Sequence, residues 1–173
     1  SGCSKGFSIG TSSTPATSPS NTQPAQTTAP PVATPATTGP TSKSSIAYPP
    51  KGFTPTASGS NVLLSMDTVA QAGNGNFRVN EMPFMAYLMD GKYYVRASVC
   101  VPCGSKIFTL KNGTLICGAC GTVFNATTGA GMSGVHACKT YAKKAVVYTT
   151  DGDNIVMTLA DLTTAYKDTL NRR

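Results

Sequence analysis

Residues 99–124 read VCVPCGSKIFTLKNGTLICGACGTVF. The stretch sets two Cys-x-x-Cys-Gly motifs, Cys100/Cys103 and Cys117/Cys120, on either side of a hairpin expected to turn at Asn112-Gly113. In a knuckle of this kind the two thiolates converge on one ion and backbone amides of the turn donate to the sulfurs. The glycine after the second cysteine permits the tight turn. Thirteen residues separate Cys103 from Cys117, close to zinc-ribbon spacing, so the hairpin would fold the second knuckle onto the first. Four thiolates suit zinc, a single iron or an iron-sulfur cluster, because ligand type alone does not separate these soft-site metals. Two adjacent chelating loops with trailing glycines favour a metal over a pair of disulfides.

Working outward, the flanks read as β-structure. Met85–Met89, Asp90-Gly91 and Lys92–Ala97 form the strongest hairpin signal, since glycine supplies the positive φ of a tight turn. A further hairpin is expected from Val146–Thr149, Asp151-Gly152 and Asn154–Leu159, and a closing helix from Asp161 to Leu170. Val62–Met66 reads as a strand, Asp67–Ala72 as a helical turn or loop, Gly73–Asn76 as a turn cluster and Phe77–Asn80 as strand. The expected fold is mainly β: a small hairpin-rich domain over residues 61–173, with a zinc-ribbon or rubredoxin-like two-knuckle metal site.

His136, the only histidine, and Cys138 follow in a loop with glycines at 129, 131 and 134. Imidazole and thiolate both bind transition metals, so the pair could build a second metal or redox site or a replaceable ligand near the first. Equally, His136 reads as a loop residue and Cys138 as a buried thiol. The glycines mark a loop passing close to something, with the metal as one candidate.

Residues 4–60 are dominated by Ser, Thr, Pro and Ala. Too few apolar side chains offset conformational entropy there, so a disordered, semi-stiff stalk is expected. Such a composition also suits O-glycosylation. No apolar run approaches the roughly 20 residues a membrane-spanning helix needs. Ser1-Gly2-Cys3, however, has small residues before a cysteine, as at a lipoprotein cleavage site, which makes Cys3 the candidate lipid-bearing residue and residues 1–3 a lipoprotein-type terminus. The formal charge of +7 permits anionic partners. Basic residues are scattered, without the aromatic interleaving that stacks bases, so nucleic acid is not an expected partner.

The stretch from about Phe84 to Leu162 resembles the membrane iron-sulfur-containing FtrD-like family. The likeness runs through the hairpin before the first pair, C-x-x-C, a short hairpin, CGACGTVF, the glycine-rich loop ending at Cys138, and DGDNIVMTLADL. It implies that Cys100, Cys103, Cys117 and Cys120 are the family's cysteine pairs and that Cys138 ends its glycine loop. It implies iron or an iron-sulfur cluster as cofactor, and a membrane iron-transport or redox complex as partner. Residues 117–125, CGACGTVFN, also resemble the second half of a Rieske motif, with cysteine in place of histidine, while Cys100-Val-Pro-Cys103 lacks the first half's C-x-H. A rubredoxin-like or Rieske-like β-fold around four cysteines follows by analogy.

The expected function is therefore an extracytoplasmic, lipid-anchored metal protein at the periplasmic face or cell surface, passing electrons or handling iron. Its rival is a module in which zinc staples a small β-domain for structure or interaction. With one histidine and no nucleophile-base pair, the chain does not read as an enzyme.

Overall fold

Residues 46–171 are described by the structure, a computed structural model. Cys3 and residues 4–45 of the expected stalk lie outside them. In chain order the elements are β1 (Ala47–Tyr48), β2 (Lys51–Gly52), β3 (Thr56–Ser58), β4 (Asn61–Ser65), α1 (Met66–Ala72), β5 (Asn74–Val79), β6 (Met82–Met89) and β7 (Lys92–Ala97). There follow β8 (Phe108–Lys111), β9 (Thr114–Cys117), β10 (Val123–Asn125), β11 (Gly131–Ser133), α2 (His136–Lys139), β12 (Thr149–Asp151), β13 (Asn154–Thr158) and α3 (Leu159–Leu170). The described chain is mostly β. Its strands form three sheets, ordered β1-β8-β9-β10-β11, β12-β13-β4-β3 and β2-β5-β6-β7.

Strand β6, MPFMAYLM, explains how the sheets share one fold. From Pro83 to Met89 every residue is buried, and a strand covered on both faces carries a continuous apolar run instead of an alternating one. Side chains still alternate with period two. Phe84 and Ala86 enter a first core with Val62, Leu64, Val69, Ile155, Met157 and Leu162. Met85, Tyr87 and Met89 enter a second core with Phe108, Leu115, Phe124, Cys100, Cys117 and Cys138. The β6 sheet thus stands between the sheet of β4 and β13, with its helices, and the sheet that carries the cysteines.

The hairpins turn on residues that take positive φ. Asp90 (φ 51°) and Gly91 (φ 73°) join β6 to β7, and Asn112 (φ 49°) and Gly113 (φ 71°) join β8 to β9. The third hairpin is displaced by one residue: Asp151 pairs with Asn154, so Gly152-Asp153 is the turn. Strand β12 is only Thr149–Asp151, while Val146 is drawn into the first core, its N–H donating to the Val95 carbonyl. Asn80 (φ 47°) and Glu81 (φ 64°) make a further hairpin turn without any glycine.

Three expectations are corrected. Gly73–Asn76 is no turn cluster: Gly73 caps α1, and Asn74–Asn76 open β5. Buried Asn74 donates through Nδ2 to the carbonyls of Tyr48 and Phe108, tying two sheets together. Gly75 is small for packing, because a Cβ there would stand 2.1 Å from the Phe53 ring. Order also begins before Asn61, since β1, β2 and β3 pair with β8, β5 and β4. Their own side chains are polar or exposed, which hides them in the composition, and Phe53 between them is buried. The closing helix starts two residues earlier than expected, with the Thr158 hydroxyl accepting from the Asp161 N–H as its N-cap.

Candidate metal centre

The two knuckles repeat each other bond for bond. In the first, the Cys100 N–H donates to the Ser105 carbonyl and the Gly104 N–H to the Cys100 carbonyl, at 2.7 and 2.8 Å. In the second, the Cys117 N–H donates to the Thr122 carbonyl and the Gly121 N–H to the Cys117 carbonyl, at 2.9 and 3.0 Å. Gly104 (φ 72°) and Gly121 (φ 67°) supply the left-handed residue that each turn needs. The β8–β9 hairpin sets them face to face, with the Gly118 N–H donating to the Ile107 carbonyl at 2.9 Å.

The four sulfurs consequently converge. Sγ of Cys100, Cys103, Cys117 and Cys120 all lie within 4.8 Å of one another, with Cys100–Cys120 at 4.0 Å and Cys103–Cys117 at 3.7 Å. Cys100 and Cys117 are buried in the second core, Cys120 is half-buried and Cys103 is exposed. The cluster therefore faces apolar packing on one side and solvent on the other. As a donor set, four free thiols this close together suit one soft metal ion.

The four are not equivalent electrically. Burial pushes the Cys100 thiol up, and its sulfur neighbours Cys103 and Cys138 add to that. Burial also raises Cys103, against a backbone N–H from Ser105. At Cys120 burial again acts upward, but it is outweighed by the hydroxyl and backbone N–H of Thr122, and the thiol falls to about 6. The Thr122 hydroxyl lies 3.1 Å from the Cys120 sulfur and accepts the Val135 N–H at 3.2 Å, which leaves its own proton for the sulfur. Ser105, its counterpart in the first knuckle, turns its hydroxyl to Ile107.

Of the two further candidates, Cys138 is buried beside Cys100, whereas His136 at the start of α2 is exposed and outside the sulfur cluster. The glycine loop passes protein and not the sulfurs. A Cβ at Gly129 would stand 2.0 Å from the Lys143 carbonyl, one at Gly131 2.1 Å from the Lys139 carbonyl, and one at Gly134 2.7 Å from Thr122 Cα.

Buried polar residues that the sequence did not single out hold this loop. Arg96 donates to Tyr87 Oη and to the carbonyls of Ala126, Thr127 and Lys143, and Tyr87 Oη donates to the Ala126 carbonyl at 2.5 Å. Lys143 is fully buried, and burial lowers its pKa to about 8 against the opposing influence of the cysteines. In the sequence Lys143-Lys144 is an ordinary basic pair. Only Thr122 left a signal, as the counterpart of Ser105 in the repeated Cys-x-x-Cys-Gly-Ser/Thr.

Residues 65–168 match the family described as membrane iron-sulfur containing protein FtrD-like. The chain belongs to the FtrD-like family. Iron and sulfur are thus the cofactor elements of this FtrD-like protein, and the sulfur cluster supplies a donor set that fits them. Membership also carries a membrane association and a role in metal binding tied to electron transfer or iron. Among the described residues no helix is long and apolar enough to cross a membrane. No curated protein matches the FtrD-like chain. Solved structures similar to it include a complex of reduced oxygenase and oxidized ferredoxin in carbazole 1,9a-dioxygenase, at 18% identity and TM-score 0.46, covering 56% of this chain and 92% of that one. The ferredoxin of carbazole 1,9a-dioxygenase from Nocardioides aromaticivorans IC177 matches at 16% identity and TM-score 0.45, covering 61% and 97%. A Sphingomonas yanoikuyae B1 ferredoxin matches at 16% and TM-score 0.41, covering 62% and 87%.

Proposed function

We propose that this protein is an electron carrier outside the cytoplasm, in which Cys100, Cys103, Cys117 and Cys120 hold one iron and Cys3 bears the lipid that keeps the domain at a membrane surface. The observation that carries the reading is the sulfur spacing. Metal–sulfur bonds of about 2.3 Å in a tetrahedron place the sulfurs about 3.8 Å apart; the two closest pairs here are 3.7 and 4.0 Å, and all four sulfurs lie within 4.8 Å of one another. Bridged clusters of several irons spread their cysteines further. Iron in such a site supplies one-electron transfer between its ferric and ferrous states.

The chain's own residues do the rest. Cys100 and Cys117 root the site in the second core, while exposed Cys103 brings it to the surface, where a membrane-bound one-electron donor and an acceptor of the same class can approach. The amides of Ser105 and Thr122 and the Thr122 hydroxyl donate to sulfur and set its electron density. Four protein sulfurs leave no open coordination position, and exposed His136 sits outside the cluster, so the reading is a carrier and not an enzyme. A redox complex of the membrane, including one that handles iron, is the proposed partner.

The test is to purify the full chain with reduced cysteines and no chelator, then measure metal content and visible absorption before and after dithionite. One iron per chain with charge-transfer bands that bleach on reduction is the expected result. Stoichiometric zinc without colour would replace the carrier by a zinc-stapled module, and several irons with sulfide would overturn the single ion.

A further inference from the structure

Behind the thiolates stands an ammonium that water does not reach. Lys143 is 0% exposed. Its Nζ donates to the carbonyls of Val99 at 2.7 Å and Tyr141 at 2.8 Å, and it lies 4.4 Å from the ring centre of Phe124 and 5.6 Å from that of Phe108. Val99 directly precedes Cys100, and Phe108 is the cross-strand partner of Cys117. The cage around the charge is therefore built from the elements that present the two buried cysteines.

Carbonyls and ring faces offset only part of the cost of burying a cation. Among the described residues the one ion pair is Arg78–Glu81, on the surface, so no carboxylate compensates Lys143. The groups whose negative charge would favour its ammonium are cysteine sulfurs, those of Cys100 and Cys117 foremost, once they are thiolates around a metal. Arg96 meets a different need, since it is spent on Tyr87 and loop carbonyls, one of them that of Lys143 itself.

We propose that Lys143 is the built-in counter-cation of the four-thiolate centre, a positioning residue that binds no metal but tightens the hold on it and favours its reduced form. Four thiolates carry a net charge of −1 around a trivalent ion and −2 around a divalent one, so a fixed positive charge nearby favours the second. One electron is gained from the external donor and no bond forms or breaks. The redox half of the proposal rests on the carrier reading above; the metal-affinity half does not.

The full chain carrying Lys143→Gln keeps a donor for the two carbonyls and drops the charge. In the iron-loaded protein its midpoint potential should fall until the oxidised-to-reduced ratio at a fixed potential has risen about tenfold, which is about 59 mV for a one-electron couple. Lys111→Gln, the same charge change on the surface of β8, should leave the potential in place. With zinc as the probe, Lys143→Gln should lose metal to a chelator at about one-tenth the concentration that strips the unmodified chain. That second readout stands even if the chain proves to carry no iron, in which case the carrier reading falls and the counter-cation is judged on zinc. A folded, loaded Lys143→Gln with unchanged potential and unchanged zinc retention overturns the proposal. Should the variant not fold, the unmodified chain labelled with 15N-lysine decides. Zinc(II) and gallium(III) are diamagnetic ions differing by one charge, so the Lys143 ammonium signal must move between the two loaded forms. Displacement no greater than that of Lys111 overturns the assignment.

Discussion

At the scale of single residues, one hydroxyl makes the two knuckles different. The Thr122 hydroxyl lies 3.1 Å from the Cys120 sulfur and, because its oxygen accepts the Val135 N–H, is assigned as the donor to that sulfur, while Ser105 turns its proton to Ile107. Hydrogen bonds to sulfur stabilise electron-rich sulfur and so the reduced state. Thr122→Val should thus lower the midpoint potential, and Ser105→Ala should not; equal effects from both, read by redox titration, would contradict the assigned proton. Tyr87 carries a second prediction. Burial, against the opposing Arg96, pushes its phenol up to about 12 from the ordinary 10.0. A raised native pKa means that the stability from the neutral phenol is intact below pH 10.0 and is lost as pH rises toward 12. The loss amounts to about 3 kcal/mol, so chemical unfolding followed across that window should show a falling stability that Tyr87→Phe flattens. The four cysteines were legible in the sequence because chelating pairs are written in local spacing. Lys143 was not, because the Val99 carbonyl that places it beside Cys100 lies 44 residues away, and nothing near Lys143 in the chain distinguishes it from Lys144.

Elements are where expectation and structure part in an instructive way. The Asp90-Gly91 and Asn112-Gly113 turns were readable because a glycine at positive φ between β-rich runs has few other uses. Asn80-Glu81 was not, as nothing in that pair demands a turn until β5 and β6 have found each other. Gly73–Asn76 misled for the opposite reason: turn-forming residues serve there as a helix cap, an inter-sheet amide and a packing gap. The gap gives a sharp test. Gly75→Ala forces a methyl against the Phe53 ring, an overpacking cost of about 1–3 kcal/mol. Phe53→Leu should recover part of it in the double variant, and additive losses in denaturant melts would show that the two residues do not meet.

For the whole molecule, β6 stands with one core on each face, and only the second contains cysteines. Stripping the metal should therefore act unevenly. Amide exchange should quicken over β8, β9 and β10, while β4, β13 and α3 stay protected; uniform loss of protection would show that the cores melt as one. The N-terminal boundary also matters at this scale. A chain beginning at 61 lacks Phe53, Tyr48 and three paired strands, and should melt well below one beginning at 46. Equal melting temperatures would place those strands outside the cooperative unit. Composition concealed this, since strands that are short and exposed look like the stalk before them.

The pairing of β4 with β13 brings Asn61–Ser65 against Asn154–Thr158. These are an early strand and the last strand of the described fold, and the first core is built around that pair. A chain emerging from the ribosome cannot close this ladder until β13 is free, because the partner of β4 has not yet arrived. The first core therefore stays open until β13 has been made. The topology acts as a timer, delaying the first core until β13 has joined β4.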